Sequence, residues 1–477
     1  NLIGDSTGVG FSFLPTDLRG GPGARISPKV LPLAYNGGAV PTHQFWSCSP
    51  AIDNGNPAAG NDANGNTRDA NPDIGAVEWM MTGDPNYEVI NNNDSGIGSF
   101  RYGMENTCAD TIFFNPSTDG VSTYTLGATS TDRNIRVIGN GPVNTIFDGS
   151  SAADRLLVVN IGDSLNMSGV QMVKYMHGLD GGAILSESKF VGDDLDINNC
   201  KGSSAGALYA NENSSLLTLT NSVFDNDSSS FNDGGAVRSI GIADVWIEGC
   251  AFNSNNADYG GALAISAYNT ATVRNVNFNG NTATQQAGAM ITGGPVTATN
   301  IELCTFSNNV ASTTGSAGGA LFLGASGTTT IDSCQFVGNK ADEGSVIQSW
   351  KGKHYVKNSN FENNVSNGAY GAIYFSGIID TAFIENNSIV GDTALTGNAG
   401  IYGDGSRLVI SRNTISGNVA ANASAVGTFN NAWNDLKGNT IANNTSTGTS
   451  TISSGGSAIV DMDNNIVAYN SNPTSGI

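Results

Sequence analysis

The stretch from Phe252 to Asn281 reads FNSNNADYGGALAISAYNTATVRNVNFNGN, and it holds the two signals that decide the fold. The first is the motif F-x-x-N, which begins at Phe252 and again at Phe278. The second is the triplet GGA at 260–262, which lies between the two copies of the motif. Short apolar runs alternate with clusters of Asn and Gly, a pattern typical of short strands joined by turns.

Both signals recur with one period through the second half of the chain. The motif, with aliphatic residues in place of Phe toward the end and Asp twice in place of Asn, occurs at Phe224–Asp227, Phe252–Asn255, Phe278–Asn281, Phe306–Asn309, Phe336–Asn339, Phe361–Asn364, Ile389–Asp392, Ile415–Asn418, Ile441–Asn444 and Val467–Asn470. Successive copies lie 28, 26, 28, 30, 25, 28, 26, 26 and 26 residues apart, a mean of 27. The small-residue triplet occurs at 181–183, 234–236, 260–262 and 318–320, with Tyr-Gly-Ala at 370–372. Two independent markers with one period predict a solenoid of stacked repeats.

A parallel β-helix accounts for this period. Equivalent strands of successive coils lie ~4.8 Å apart when they pair in parallel, so equivalent Phe, Ile or Val side chains form a buried column. An Asn at a fixed bend can hydrogen-bond to the Asn of the next coil. We expect this ladder at Asn255, Asn281, Asn309, Asn339, Asn364, Asn418, Asn444 and Asn470. Because parallel crossovers are nearly always right-handed, the sequence predicts an all-β, right-handed parallel β-helix with a loop-rich N-terminal capping segment.

The position two residues before each Phe carries a small side chain. Down the stack it is occupied by Ser222, Cys250, Val276, Cys304, Cys334, Ser359 and then Ser388, which directly precedes its aliphatic residue. A disulfide between Cys304 and Cys334 is one alternative, but stacked side chains lie slightly too far apart for relaxed disulfide geometry. We favour buried free thiols that act as small hydrophobic groups. Cys48 and Cys108 lie outside the stack and receive no assignment.

The charge of the chain restricts its partners. Among 477 residues there are 41 acidic and 20 basic side chains, a net charge of −21. A field of this sign repels nucleic acid and anionic membranes and favours cations. No run of 18 apolar residues occurs, so the sequence predicts no membrane span. It starts at Asn1 rather than Met and shows no signal peptide, so we expect a part of a longer protein.

Residues 1 to about 80 lack the period but carry four short motifs in a fixed order. The motifs are NLIG at 1–4, LPLAYNGGAVPTH at 31–43, SPAIDNG at 49–55 and DIGAVE at 73–78. In these motifs the segment resembles the closing segment of bacterial surface proteins of the choice-of-anchor Q type.

The next segment, residues 91–116, resembles the opening CSLREA-type cap of the same proteins, in which a helix precedes the first strand. Arg101 matches a charged position of that cap, whereas Tyr102 and Gly103 replace the usual Glu-Ala. The coils also resemble the repeats of polymorphic outer-membrane proteins. These resemblances imply a secreted bacterial surface protein, and they bring no catalytic residues with them.

The order of the segments differs from that of the resembling proteins, where the cap comes first and the closing segment last. Here residues 1–85 form the closing segment, 86–134 the opening cap and first strands, and 135–477 the coils. A bare last coil exposes strand edges and core, and solenoid ends need caps. We therefore predict that the closing segment of the next copy covers it, giving a head-to-tail array of separate chains or tandem repeats. The predicted contact residues are Asn1, Leu2, Ile3, Ile466, Val467 and Ile477. An arbitrary cut in a longer protein is the alternative.

A candidate calcium site lies in the sequence DANGNTRDANPD, residues 62–73. Its oxygen-bearing side chains are Asp62, Asn64, Asn66, Asp69 and Asp73. Alternating oxygen ligands on a tight loop suit Ca²⁺, which takes six to eight of them. The pattern departs from an EF-hand loop because Gly65 holds the fourth place and no Glu the twelfth. An Asx-rich turn without metal is the alternative.

No catalytic set of residues stands out, and we predict none. A glycoside hydrolase needs two carboxylates about 5 to 9.5 Å apart. Two groups of acidic residues could supply them. The first consists of Asp193, Asp194 and Asp196. The second consists of Glu248, Glu302 and Asp332, at repeat positions shared with Arg274 and Lys357. A solvated face of mixed charge is the interpretation that we favour for them.

The five Trp residues share no repeat position, so the sequence shows no aromatic rail for a polysaccharide. These observations favour a non-catalytic extracellular structural protein, either a surface adhesin or a filament subunit. Its expected partners are other copies of the same chain and glycans. A carbohydrate-active β-helix enzyme or a carbohydrate-binding module is the alternative.

Overall fold

The chain forms two compact units, residues 1–119 with 129–138, and residues 120–128 with 139–477. The structure, a computed structural model, describes residues 1–21, 25–56, 60–80, 84–123, 127–152, 154–211, 216–231, 233–377, 380–448 and 450–472. The predicted closing segment and most of the predicted opening cap fall in the first unit, and most of the predicted coils fall in the second.

The first unit consists mainly of loops. Its strands are Leu2–Ile3, Leu18–Arg19, Tyr87–Val89, Thr111–Phe114, Thr129–Ser130 and Ile135–Ile138. An α-helix covers Phe100–Asn106, and a 3-10 turn covers Pro116–Thr118. The α-helix begins after Ser99, whose hydroxyl accepts a hydrogen bond from the backbone N–H of Tyr102, as N-cap residues do.

Two small apolar clusters and one disulfide hold the first unit together. Phe45, Ala51 and Val77 form one buried cluster, against which Leu2 packs. Trp46, Cys108 and Ala109 form the other. Cys48 and Cys108, 60 residues apart in sequence, form a disulfide with a Cα–Cα distance of 5.8 Å. A covalent link over so long a loop supplies stability that the small clusters alone do not.

The second unit is a stack of coils built from four series of parallel strands. The first series, after the GGA bend, contains Leu157–Val159, Ile184–Ser186, Leu208–Ala210, Met290–Gly293, Leu321–Leu323, Ile347–Ser349, Ile373–Ser376, Ile401–Asp404, Val426–Phe429 and Ile452–Ser454. The second contains Leu216–Thr220, Ala298–Glu302, Thr328–Asp332, Lys353–Lys357, Thr381–Glu385, Arg407–Ser411, Trp433–Lys437 and Ile459–Asp463. Val237–Glu248 and Leu263–Arg274 run through both series without a break.

The third series carries the F-x-x-N motif. It contains Gly120–Thr123, Thr145–Asp148, Val223–Asp225, Ala251–Asn253, Asn277–Asn279, Thr305–Ser307, Gln335–Val337, Asn360–Glu362, Ser388–Val390, Thr414–Ser416, Thr440–Ala442 and Ile466–Ala468. Ser164–Val173 and Lys189–Asn198 run through the second and third series. The fourth series forms a separate sheet with the strands Lys201–Gly202, Ser228–Ser229, Asn256–Tyr259, Thr282–Gln286, Val310–Ala311, Lys340–Glu343, Val365–Tyr370, Thr393–Ala394, Val419–Ala420 and Thr445–Ser446.

Equivalent motif residues stack in register. Phe224 pairs with Phe252, Phe252 with Phe278, and the pairing continues coil by coil to Val467. The Phe rings of the column are fully buried and parallel, with neighbouring centroids 4.7 to 5.1 Å apart. The prediction of an all-β, right-handed parallel β-helix is confirmed.

The GGA bend depends on glycine for two reasons. Gly318, the first glycine of its triplet, has a φ of +64°, a backbone conformation that other residues adopt at a cost. A Cβ on the second, Gly319, would lie 2.2 Å from the carbonyl oxygen of Ser345 in the next coil. The triplet therefore marks the place where successive coils approach most closely.

Candidate functional site

The predicted Asn ladder forms one continuous hydrogen-bonded series along the interior of the coils. Asn281 shows the repeating unit. Its Oδ1 accepts hydrogen bonds from the backbone N–H and the side-chain amide of Asn255, both at 3.0 Å. Its Nδ2 donates to the carbonyl oxygen of Phe252 and to Oδ1 of Asn309, both at 2.9 Å. Both hydrogens and the oxygen of the buried amide are thus satisfied, as burial demands.

Asp replaces Asn at two positions of this ladder. Oδ1 of Asp392 accepts hydrogen bonds from the backbone N–H of Asn364 at 2.7 Å and from its amide at 2.9 Å. Oδ1 of Asp227 accepts from the backbone N–H of Cys200 at 2.8 Å. The second carboxyl oxygen of each Asp is buried without a hydrogen-bond partner. Burial raises the pKa of Asp392 to about 7 and that of Asp227 well above its ordinary range.

A second ladder lies beside the first in the later coils. It consists of Asn387, Asn413, Asn439 and Asn465, each two residues before the aliphatic residue of its motif. The expectation that Ser388 continues the column of small side chains was wrong, because Ser388 pairs with Asn360 and Asn387 follows Ser359 in the column. The recurring spacing N-x-I in the sequence was a signal for this ladder.

The four cysteines of the coils are buried free thiols. Cys250, Cys304 and Cys334 lie in the column of small side chains, whereas Cys200 takes the ladder position one coil before Asp227. Burial raises the pKa of Cys250 to about 11, so its thiol stays protonated. The preference for free thiols at Cys304 and Cys334 agrees with the structure, which places the only disulfide of the described residues in the first unit.

The candidate calcium loop turns its oxygens toward its own backbone. Oδ1 of Asp62 accepts hydrogen bonds from the backbone N–H groups of Asn64 at 2.9 Å and Asn66 at 2.7 Å. Its Oδ2 accepts from the backbone N–H of Glu78 at 2.8 Å. These are the contacts of an Asx-rich turn.

The two other acidic residues of the predicted site, Asp69 and Asp73, are engaged in the same way. The carboxylate of Asp73 accepts from the backbone N–H groups of Asp53 and Trp79, at 2.9 and 2.5 Å, and that of Asp69 from Asn71 at 2.8 Å. In the described part of the chain, no group of three or more His, Cys, Asp or Glu side chains is arranged to hold a metal ion. The calcium site stays a prediction that these contacts do not favour.

The predicted contact residues lie in both units. Leu2–Ile3 forms a short strand that pairs in parallel with Leu18–Arg19, and the amino group of Asn1 forms an ion pair with Asp17 at 3.0 Å. In the last described coil Ile466 is 61% and Val467 46% exposed. Ile477 lies outside the described residues.

The second group of candidate catalytic acids carries structural contacts. Arg274 pairs with Glu248 at 3.6 Å and with Glu302 at 3.9 Å, on neighbouring coils. Lys357 pairs with Asp332 at 3.1 Å. These positions are equivalent on successive coils, and they form a ladder of mixed charge.

A further column of residues follows the GGA bend, and of its aromatic members Phe322, Tyr374 and Tyr402 are buried. It consists of Leu185, Tyr209, Arg238, Ala264, Ile291, Phe322, Gln348, Tyr374, Tyr402, Gly427 and Ser453. Tyr370 stacks against Tyr374 and Tyr402 with centroid distances of 4.1 and 4.9 Å. The positions of Trp alone do not reveal this column, although the residue two places after the Ala of each triplet marks it in the sequence.

Comparisons with known proteins agree with the fold. Residues 183–361 match the family model described as a right-handed β-helix region. The A-module of mannuronan C-5 epimerase AlgE6 from Azotobacter vinelandii is similar at 13% sequence identity, covering 82% of this chain and 100% of that chain, with a TM-score of 0.23. A TM-score this low carries no argument about fold or function, so the agreement with the fold rests on the family model alone. No curated protein matches the chain in sequence. Within the described residues, no helix is long and apolar enough to cross a membrane.

Proposed function

We propose that this protein is a non-catalytic, extracellular structural protein of a bacterial surface, an adhesin or filament unit whose copies join head to tail. The observation that carries this proposal is the exposed core of the last described coil. Met462 is 49% and Val467 46% exposed, whereas their equivalents one coil earlier, Leu436 and Ile441, are fully buried. Core positions of a solenoid are covered by the coil that follows, whether that coil belongs to the same chain or to a docked copy.

The hydrogen bonding of the same coil supports the proposal. In each earlier coil the backbone N–H of a ladder Asn donates to the amide oxygen of the next coil, as Asn444 does to Asn470 at 2.9 Å. Among the described residues the backbone N–H groups of Asn465 and Asn470 have no such acceptor. A docked copy that supplies acceptors would continue both ladders.

The first unit offers a strand for this contact. Leu2–Ile3 pairs in parallel with Leu18–Arg19, the sense in which the coils pair. We propose that Asn1, Leu2 and Ile3 of one copy cover Ile466, Val467 and Ile477 of another by strand addition. The resemblance to closing segments of choice-of-anchor Q proteins, carried by the four motifs at 1–4, 31–43, 49–55 and 73–78, supports this arrangement.

The disulfide supports a location outside the cytoplasm. Disulfides such as Cys48–Cys108 persist in oxidising compartments and are rare in the cytosol. Mass spectrometry of the exported protein, with and without reduction, would locate the bond. Detection of both cysteines as free thiols in the native protein would contradict this part of the proposal.

Light scattering and electron microscopy of the purified protein test the assembly. We expect linear particles that lengthen with concentration, and the variant Val467→Asp should leave single units because it places a charge in the contact. Val419→Asp is the matched control, since Val419 is 42% exposed on a strand of the fourth series, away from the last coil. Single units for the unaltered protein at every concentration would refute head-to-tail joining.

A second candidate function is carbohydrate binding. Phe322, Tyr374 and Tyr402 share one repeat position, but each is at most 8% exposed, so the column by itself offers a polysaccharide little aromatic surface. Incubation with a panel of polysaccharides tests it. Retention of the protein by one polysaccharide supports binding, and new reducing or unsaturated ends would indicate an enzyme. The absence of both would leave the structural function alone.

A further inference from the structure

A histidine ring lies in the interior of the coils. His354, the second residue of the strand Lys353–Lys357, is 1% exposed. It pairs with Thr329 on the coil before and with Ala382 on the coil after, so its neighbours at this repeat position are small and uncharged. Its ring stacks against that of Phe375, with the centroids 5.2 Å apart. The charge of this interior position therefore depends on pH, whereas that of its neighbours does not.

The contacts of the His354 ring define which nitrogen carries its hydrogen. Nε2 lies 2.7 Å from the carbonyl oxygen of Lys351 and 2.8 Å from the hydroxyl oxygen of Ser349. Because a carbonyl oxygen only accepts hydrogen bonds, Nε2 carries the hydrogen of the neutral ring and Nδ1 carries none. Nδ1 is buried and has no hydrogen-bond partner among the described residues. A second proton would therefore place a positive charge and a donor without an acceptor inside the coil.

Burial sets the protonation state of this ring. It lowers the pKa of His354 to about 4, and the hydrogen bond to Lys351 and the field of the exposed Asp380 reverse only part of that effect. The first-series strands that pack against the ring, Ile347–Ser349 and Ile373–Ser376, contain no acidic or basic residue. The charged residues of the three stacked second-series strands lie on the face opposite to His354, and they are Asp332, Lys353, Lys357 and Glu385. The ring is therefore neutral at pH 7.

The hydrogen bond from His354 holds the surface turn that leads into its strand. This turn, residues 350–352, joins the first and second series of its coil. Its Trp350 is 48% exposed and packs edge-on against Phe322, a ring that is itself only 5% exposed, with the centroids 5.0 Å apart. A Cβ on Gly352 would lie 2.5 Å from the carbonyl oxygen of Gly327, so the turn also lies close against the coil before it. The turn thus covers buried aromatic surface while a titratable group holds it.

We propose that His354 is an acid-sensitive switch, which keeps the turn at 350–352 closed while its ring is neutral and opens it when the ring is protonated. Because His354 is only the second residue of its strand, its side chain reaches solvent once the turn lifts, whereas the pairing of Val356 with both neighbouring coils persists. The open turn uncovers Phe322 and Phe375, which the closed turn and the neutral ring keep from solvent. This switch is independent of the assembly and of the carbohydrate binding proposed above.

Hydrogen exchange of the whole chain, followed by mass spectrometry at pH 7 and pH 4, tests the proposal. A ring with a pKa of 6.5 in solvent and about 4 when buried favours the open turn about a hundredfold more at pH 4 than at pH 7. The amide of Lys353 donates to the carbonyl oxygen of Gly327 at 3.2 Å in the closed turn. We expect its protection factor, which corrects for the intrinsic exchange rate at each pH, to fall about a hundredfold. The equivalent amide one coil earlier, that of Thr328, should keep its protection.

Two neutral substitutions and one control isolate the ring. His354→Gln keeps a donor for the carbonyl oxygen of Lys351, and His354→Thr introduces the residue that the preceding coil has at this position. In both variants the protection factor of Lys353 should be the same at the two pH values. His43→Asn is the matched control, since His43 is exposed in the first unit and its loss should leave the hundredfold change in place.

Thermal unfolding at pH 7 shows whether each variant stays folded. A hundredfold change that persists in both His354 variants would overturn the switch, because the carboxylates of the chain would then cause it. Unchanged protection of Lys353 in the unaltered protein would overturn it as well. An equal loss of protection at Thr328 would mean that acid opens the coils as a whole, and the local opening would then be wrong.

Discussion

The coils from Phe224 to Phe361 and the coils from Ile389 onward fill the same interior in two ways. In the early coils a stacked Phe lies beside a small Cys, Val or Ser. In the later coils an Ile or Val lies beside an Asn that belongs to a second ladder. The comparison teaches that one interior position can hold either a small side chain or an amide, and that the amides occur in an unbroken run because each needs the next as its partner.

The largest effect is expected from the Phe column. Phe306→Ala removes a ring stacked at 4.7 and 4.9 Å on both sides, and we expect a loss of about 4 kcal/mol in the free energy of unfolding. Ile415→Ala in the later coils removes fewer atoms and should cost about 3 kcal/mol. Urea unfolding followed by circular dichroism measures both. A larger loss for the Ile415 variant would break the comparison.

Substitution at the position beside the column should cost more stability in the later coils than in the early ones. Asn413→Ala leaves buried partners unsatisfied on both neighbouring coils and should cost about 3 kcal/mol. Cys304→Ala at the equivalent position removes only a small buried group and should cost about 1 kcal/mol. Equal losses in urea unfolding would mean that the second ladder adds no stability of its own.

The pH dependence of stability should reveal the Asp at the junction between the two sets of coils. Burial raises the pKa of Asp392 to about 7 in the folded chain, above its value in the unfolded chain. Folding therefore takes up a proton, and this contribution is full below about pH 4 and lost as the pH rises to 7. Between pH 5 and pH 8 the free energy of unfolding should fall by roughly 2–3 kcal/mol more in the unaltered protein than in Asp392→Asn.

Unfolding of both proteins at the two pH values measures this difference. Asp463→Asn is the matched control, since Asp463 is exposed on a later coil and its variant should keep the slope of the unaltered protein. The buried Asp227, whose pKa is also raised, contributes a slope of the same sign that Asp392→Asn leaves in place. If Asp392→Asn kept the pH slope of the unaltered protein, the ionisation of Asp392 would not change the free energy of unfolding.

The smallest effect is expected from the outward charges. Arg274→Ala in the early coils and Arg412→Ala in the later coils each break exposed ion pairs, and each should cost less than about 0.5 kcal/mol. Thermal unfolding in low and high salt measures them. A loss above about 1 kcal/mol at either site would show that the outer charge ladder, rather than the interior, distinguishes the two sets of coils.

The coils were predictable because their determinants repeat. The period of the F-x-x-N motif is enough by itself to place Phe278 on Phe252 and Asn281 on Asn255. The second ladder obeys the same period, but it was missed because Ser388 precedes Ile389 and attracted the assignment that belongs to Asn387. When two small polar residues are adjacent, as Asn387 and Ser388 are, the sequence does not indicate which of them faces the interior.

The first unit was less predictable because its contacts do not repeat. Nothing in the spacing of Cys48 and Cys108 indicates that they form a disulfide. The order of residues in the loop at 62–73 does not show which groups its side-chain oxygens contact. The carboxylate of Asp62 looks like a ligand in the sequence, whereas the folded loop directs it to backbone N–H groups. The composition of a loop identifies its oxygen-bearing side chains, but it does not show which atoms they contact in the folded chain.

The ladder of amides also has a direction. Every amide oxygen accepts a hydrogen bond from the backbone N–H of the coil before it. The backbone N–H of each ladder residue therefore has an acceptor only when the next coil is present. Because the partners are always about one coil apart in sequence, adding coils does not increase the sequence separation of any pair in contact. Removal of one whole coil, from the residue after Asn418 through Asn444, would join two surfaces that already match. The number of coils is thus a quantity that evolution can change by duplication without redesigning any interface.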